Sequence, residues 1–340
     1  PAPTVTPLPA PTSTSPPAPP PIPTLAPTRD LRIGAFDGVA GIVDSTNFGW
    51  PRQVEGVNGT VSIPAKPERI ITASIGHDEM TLALVPLERL VGVGGVSKDP
   101  TYSNVADLVQ DKPEISREPE TIIAQGPDVI VTSPFYPADA VAALSEVGIP
   151  VIQTDLEQDP KGRIDSILLM GYIYGEEERA LAFASEVSDR YDSVVSVAGG
   201  LQPRPRVLAL TQYSDTLWVA GGNSTEGSII SAAGGINVAE EAGIDGNQTT
   251  SLEGVIAMGP EVIIIPQPAE FGAEDFRQSL LDNDALVSTQ AIASGQVHIV
   301  DGKFYTTLSH WNIRGVEELA RLLWPGGFPV AASPNFSLPE

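Results

Sequence analysis

The sequence predicts two similar Rossmann-like α/β lobes with mostly parallel sheets, joined by a long helix, with a ligand cleft between the lobes. Three observations lead there. From Ala65 onward, short apolar runs alternate with helical patterns, and the runs are apolar on both faces, as strands covered by helices require. Residues 162–197 carry no strand signal, and Ala180, Phe183, Ala184, Val187, Tyr191 and Val194 recur at the spacing of one helix face. Finally, the chain repeats itself: ETIIAQGPDVIV spans Glu120 to Val131 and EGVIAMGPEVII spans Glu253 to Ile264. Each copy reads as a helix, a Gly-Pro stop and a strand, so the two copies mark equivalent units in two lobes. Open α/β sheets bind ligands beyond the carboxyl ends of their strands, which places a ligand between the lobes.

The elements follow in order. The first 27 residues hold 12 of the 33 prolines and no charged side chain. Such a segment packs no core, and residues 1–29 are expected to form an extended, disordered stalk. The chain starts at Pro1 without methionine, so a segment upstream is expected to have been removed. A lipid-anchored N-terminus is one reading of the stalk, and an interdomain linker or tail is the other. Residues 30–60 are an N-terminal arm, either an added hairpin or an arm laid across a lobe. In the N-terminal lobe, 61–157, strands are predicted at Arg69–Ser74, Arg89–Gly95, Asp128–Ser133 and Pro150–Asp155. Helices are predicted from His77 to Pro86, from Glu120 to the Gly126-Pro127 stop, and from Ala138 to Gly148. Residues 158–200 are the linking helical segment. The C-terminal lobe, 201–330, restarts at Val207–Gln212, carries the second copy ahead of Glu261–Pro266, adds a strand at Gln296–Val300, and closes with a helix over Arg314–Trp324. Residues 331–340 are a tail.

Composition excludes several functions. The 340 residues suffice for two domains, and 43 acidic against 19 basic residues give a formal charge of −24, which repels nucleic acid and anionic headgroups. Without cysteine there is no disulfide, thiolate metal site or Cys nucleophile. No Gly-x-Ser-x-Gly elbow, P-loop or His-Glu-x-x-His helix occurs, so no catalytic residues are assigned and no enzyme is expected.

The segment PERIITASIGHDEMTLALVPLERLVGVGG, followed by the first repeat, resembles the class III periplasmic substrate-binding proteins, the ferric-siderophore, haem and cobalamin receptors of ABC importers. The resemblance covers roughly Pro64 to Pro325 and rests on a Pro-x-Arg-Ile strand, a Ser-containing loop, a helix leading into Leu-Val-Gly-Val, and the Glu-x-Ile…Pro-Asp-Val-Ile segment. It implies a rigid, monomeric, extracytoplasmic receptor that hands its ligand to a dimeric permease served by an ATPase. It also implies one permease-docking glutamate per lobe, seven positions before the Pro of the Pro-Asp or Pro-Glu pair. Glu120 before Pro127 and Glu253 before Pro260 have that spacing. Both also suit the first turn of a helix, where acids favour the positive end of the dipole, and Thr250 with Glu253 has the spacing of a capping box.

Cleft residues are expected in loops just after strands. Phe135, Tyr136, Tyr213, Trp218, Phe271, Phe304, Tyr305 and Trp311 fall there in a chain only 6% aromatic, which favours a flat or bulky organic ligand. Lys98, Arg117 and Arg314 are candidate counter-charges for an anionic ligand. His77, where a strand-end loop runs into its predicted helix, and His310, in a predicted loop, belong to opposite lobes, whereas His298 lies in a strand and reads as structural. The expected ligand is a metal chelate, ferric siderophore first and cobalamin second, with no resident cofactor and no direct metal site. A molybdate-like oxyanion held by Arg314 and His77, or haem held by His77, Tyr136 or His310, is the alternative.

Overall fold

The computed structural model describes residues 31–115, 118–156, 158–329 and 334–339. The stalk expected over residues 1–29 lies outside them, as does Arg117. After α1 (Leu31–Phe36), β1 (Arg52–Gly56) and β2 (Gly59–Ile63) pair antiparallel. The N-terminal arm is therefore a hairpin. Its anchor is Arg52, buried between the rings of Trp50 and Tyr172, which donates to the Tyr172 carbonyl and to the Glu177 carboxylate.

The first lobe is a parallel sheet ordered β4-β3-β5-β6, from β3 (Ile70–Thr72), β4 (Leu90–Gly92), β5 (Val129–Thr132) and β6 (Val151–Gln153). Its helices are α2 (Ile75–Leu84), α3 (Ala106–Val109), α4 (Pro119–Ile123) and α5 (Ala138–Glu146). Helices cover both faces: Ile122, Val141 and Leu144 pack on one side, and Met80, Leu84 and Ile173 on the other. The continuous apolar strands of the sequence are apolar for that reason.

The expected single linking helix is two, α6 (Arg163–Tyr174) and α7 (Glu177–Ala198). The 22-residue α7 buries Phe183 and Val187 in the first core and Val194 in the second. One amphipathic stripe thus serves two cores.

The second lobe contains β7 (Arg206–Tyr213), β8 (Thr216–Ala220), β9 (Ile236–Asn237), β10 (Asn247–Thr250), β11 (Val262–Ile265) and β12 (Val297–Ile299). Parallel pairing in the order β9-β7-β11-β12 repeats β4-β3-β5-β6 of the first lobe. The difference is that β7 continues into an antiparallel hairpin with β8, and β8 takes β10 on its far edge. Around this sheet lie α8 (Thr225–Ala232), α9 (Val238–Glu241), α10 (Leu252–Met258), α11 (Ala273–Leu281), α12 (Gln290–Ala293), α13 (Gly302–Tyr305) and α14 (Asn312–Leu323). Residues 334–339, expected within a tail, are anchored by Phe336, which is buried against Phe183 and His310.

The sequence repeat is a clamp built twice. In both copies a glycine in the left-handed region, Gly126 at φ 58° and Gly259 at φ 59°, ends the short helix ahead of the strand. Arg69 Nε donates to the Gly126 carbonyl at 2.8 Å, and Arg206 Nε donates to the Gly259 carbonyl at 3.2 Å. The acid after the proline completes it, Asp128 accepting from the Arg69 N–H at 2.9 Å and Glu261 from the Arg206 N–H at 3.1 Å. Each copy thereby ties the end of one helix to the start of the neighbouring strand.

Candidate functional site

The alternation of β7 puts Ala209, Thr211 and Tyr213 on one face of the second sheet, and the register sets Trp218 of β8 opposite Thr211 and Asn247 of β10 opposite Ala220. These residues floor a cavity of about 310 Å³, walled by Thr225 and Glu226 at the start of α8, by Pro266 after β11, by Thr306 and Leu308 after α13, and by Gln158 from the linking segment. The Thr225 hydroxyl donates to Gln158 Oε1 at 2.7 Å, joining the linking segment to the second lobe. Tyr213 is 48% exposed and Trp218 37%, so both rings offer surface to a ligand. Beside them the rings of Tyr102 and Phe271, from opposite lobes, lie 6.0 Å apart. Burial, then Tyr102 and Glu226, hold the Tyr213 hydroxyl above its ordinary pKa.

Glu226 is the unusual group. It is 9% exposed, and burial pushes its carboxyl up to about 7 against the pull of its own backbone N–H. Among the described residues no lysine or arginine lines the cavity.

The lobes meet at a buried polar junction. Glu79 of α2 accepts from the Asn104 backbone N–H at 2.8 Å and side-chain amide at 2.9 Å, and from the Thr307 hydroxyl at 2.7 Å and the Ser309 hydroxyl of the opposite lobe. Asn104 also donates to the Lys303 carbonyl at 3.1 Å. Nearby, Asp78 accepts from the Thr72 and Ser97 hydroxyls and the Gly94 N–H, and burial raises it to about 7.

The other predicted site residues lie away from this cavity. His77 is on α2 rather than in a loop, wholly buried, with Nδ1 2.6 Å from the Ser74 hydroxyl and Nε2 2.7 Å from that of Thr154. His310 is packed among Phe183, Trp311 and Phe336 and is 2% exposed. The two imidazoles are enclosed by different neighbours, and burial pushes each down to about 3. Tyr305 is a core residue on α13. Arg314 faces the C-terminal segment, donating to the Pro334 carbonyl and Asn335 Oδ1 at 2.8 Å each and standing 3.7 Å from Glu317. Lys98 donates to the Lys112 carbonyl at 2.9 Å. Tyr136 packs on the first sheet, while Phe135 is 93% exposed at its loop tip. Trp311 stacks on Phe304 and lines a second, smaller cavity with Asn104 and Lys303.

Glu120 and Glu253 are exposed in the first turns of α4 and α10. The cap of α10 is Ser251, which accepts from the Gly254 N–H at 3.2 Å, one residue later than the capping box expected from Thr250. The Glu253 carboxyl is held below its ordinary value by its own backbone N–H and by Ser251. Among the described residues no three His, Asp or Glu side chains are grouped to hold a metal ion, and no helix is long and apolar enough to cross a membrane.

Sequence reading missed Gln158, Thr211, Glu226, Asn247 and Tyr102. Period-two alternation along β7 was the available signal for Thr211, since it shares a face with Tyr213. Glu226 follows Ser224-Thr225 and looks like an ordinary helix start.

A family model described as periplasmic binding protein matches residues 70–303, spanning both lobes. The chain is 22% identical over 250 residues to a cobalamin-binding protein of Halobacterium salinarum, covering 72% of this chain and 66% of the relative, just under two thirds of that protein's length. It is 22% identical over 276 residues to an uncharacterized ABC transporter substrate-binding lipoprotein, YvrC, of Bacillus subtilis, covering 80% of this chain and 84% of the relative. Among solved structures, the periplasmic heme-binding protein RhuT of Roseiflexus sp. RS-1 in apo form is similar with a TM-score of 0.66 at 23% identity, covering 77% of this chain and 99% of that one. This last likeness concerns the fold.

Proposed function

This chain belongs to the periplasmic binding protein family, and on that premise we propose that it captures an organic metal chelate outside the cytoplasmic membrane and delivers it to an ABC permease and its ATPase. The observation that carries the reading is the cavity walled by Tyr213 and Trp218 and lined by the amides of Gln158 and Asn247 and the hydroxyls of Thr211 and Thr306. Aromatic faces with a few fixed hydrogen-bonding groups suit a large organic ligand. A corrinoid of the cobalamin type comes first, because the cavity offers amides and hydroxyls rather than cations and because one relative is named for cobalamin. A ferric siderophore is the second reading, favoured by the aromatic wall. Molybdate and haem fit less well, since Arg314 faces the C-terminal segment and both His77 and His310 are buried.

Native mass spectrometry with cyanocobalamin, a ferric-siderophore panel, haemin and molybdate tests the reading. A mass shift with a chelate supports it, and a shift with molybdate alone overturns it. Delivery is assigned to Glu120 and Glu253, exposed at equivalent places in the two lobes. Reversing both, Glu120→Lys with Glu253→Lys, is expected to leave chelate binding in solution unchanged and to cut uptake by at least about tenfold, about 1.4 kcal/mol of docking energy. Intact uptake would remove the docking role.

A further inference from the structure

The buried carboxyl of Glu226 has a cavity in front of it and, among the described residues, no basic side chain beside it. Among the described residues it forms no ion pair, and no other side chain donates a hydrogen bond to it. An acid in the first turn of a helix is ordinary, because the dipole favours it. Exposed acids serve that purpose, as Glu253 does on α10. Ser224 already caps α8 by accepting from the Gly227 N–H at 3.1 Å. Burying a carboxyl without a partner costs several kcal/mol when it is ionised, so helix stability alone does not account for this one.

We propose that Glu226 selects the ligand by charge: an arm of the chelate ending in an amide or ammonium N–H enters the cavity and donates to the Glu226 carboxyl, while an arm ending in a carboxylate is refused. The inference rests on the metal-chelate reading and deepens it. A space of about 310 Å³ takes a side arm, with the rings of Tyr213 and Trp218 beside it. Gln158 and Asn247 can supply both donors and acceptors to the same arm. A second carboxylate there would face Glu226 across a cavity that no cation lines among the described residues, and like charges in a partly desolvated space repel strongly.

Two congeneric series test this at pH 8. One is ferrioxamine B, whose arm ends in an ammonium, with its N-acetyl derivative, ending in a neutral amide, and its N-succinyl derivative, ending in a carboxylate. The other is cyanocobalamin and the monocarboxylic acid made by hydrolysing one of its amide arms. Titration calorimetry on the full chain is expected to show one series binding, and the carboxylate-armed member binding at least about tenfold more weakly than its amide or ammonium counterparts. The series that binds identifies the source of the arm. Glu226→Gln keeps the shape and should bring the carboxylate-armed member to within about twofold of the amide. Equal affinities in the wild type, or unchanged discrimination in Glu226→Gln, would overturn the inference and leave the chelate reading standing. Silence from both series would overturn the chelate reading and this inference with it. Glu226→Leu supplies a readout of opposite sign, with weaker binding of the preferred arm but a higher Tm, because a buried carboxyl has been removed. A lower Tm would mark Glu226 as a helix-start residue only.

Discussion

The buried histidines act on stability rather than on a ligand. His77 and His310 are neutral in the folded protein, held near 3 chiefly by burial and further by neighbouring arginines. The unfolded chain takes up their protons near the ordinary value of 6.5, so the stability they permit is complete above that pH and is lost as pH falls toward 3. Each contributes at most about 1.4 kcal/mol per pH unit within that window. Asp78 and Glu226, raised to about 7, act in the opposite direction. Their protonated forms favour folding below the ordinary carboxyl range, and that contribution is lost as pH rises toward 7. His310→Phe, set among Phe183, Trp311 and Phe336, should therefore lose less stability than the wild type between pH 6.5 and 5, by about 1–2 kcal/mol in urea titrations. Equal losses would show that His310 does not carry the acid sensitivity.

At the scale of elements, the repeated Gly-Pro unit couples a short helix to the strand beside it, and its glycine is the simplest point to probe. Nothing lies within 4 Å of a Cβ placed on Gly259, so Gly259→Ala introduces only the left-handed backbone penalty at φ 59°. The expected cost is about 1–2 kcal/mol, measurable by chemical denaturation. No change would mean that the turn relaxes freely. The hairpin β1–β2 depends on Arg52 and Glu177, both buried. Arg52→Ala leaves a carboxylate without its partner and should cost about 3–5 kcal/mol, with faster proteolysis within residues 47–63 as the second readout. Unchanged proteolysis would show that the hairpin is held by its apolar contacts instead.

At the scale of the molecule, the lobes are tied at several points. Helix α7 contributes side chains to both cores, Glu79 is bonded on both sides of the junction, and Thr225 is joined to Gln158. Each tie would break in a wide opening, so the radius of gyration from small-angle scattering should stay the same on ligand addition. A marked contraction would contradict this. Glu79→Ala leaves the Asn104, Thr307 and Ser309 donors unpaired in a buried place and should cost about 3 kcal/mol or more, with faster hydrogen exchange confined largely to residues 303–309.

The sequence by itself determined the lobes, their parallel strands and the linking helical segment, because apolar periodicity and Gly-Pro punctuation are local signals. The duplicated unit was legible for the same reason, down to the exposed Glu120 and Glu253. What only the tertiary structure decided was which polar and aromatic side chains share a cavity. Tyr213 and Trp218 meet Asn247 because β8 and β10 pair antiparallel on the edge of β7, a long-range register that the short polar strand Asn247–Thr250 does not advertise. His77, Tyr305, His310 and Arg314 were expected to face the cleft, yet turn into cores or toward the C-terminal segment, because a residue's position near a strand end does not fix the face it turns to. Glu226 was invisible for the converse reason: its residue type suits a helix start, and its burial is a property of the packing around it.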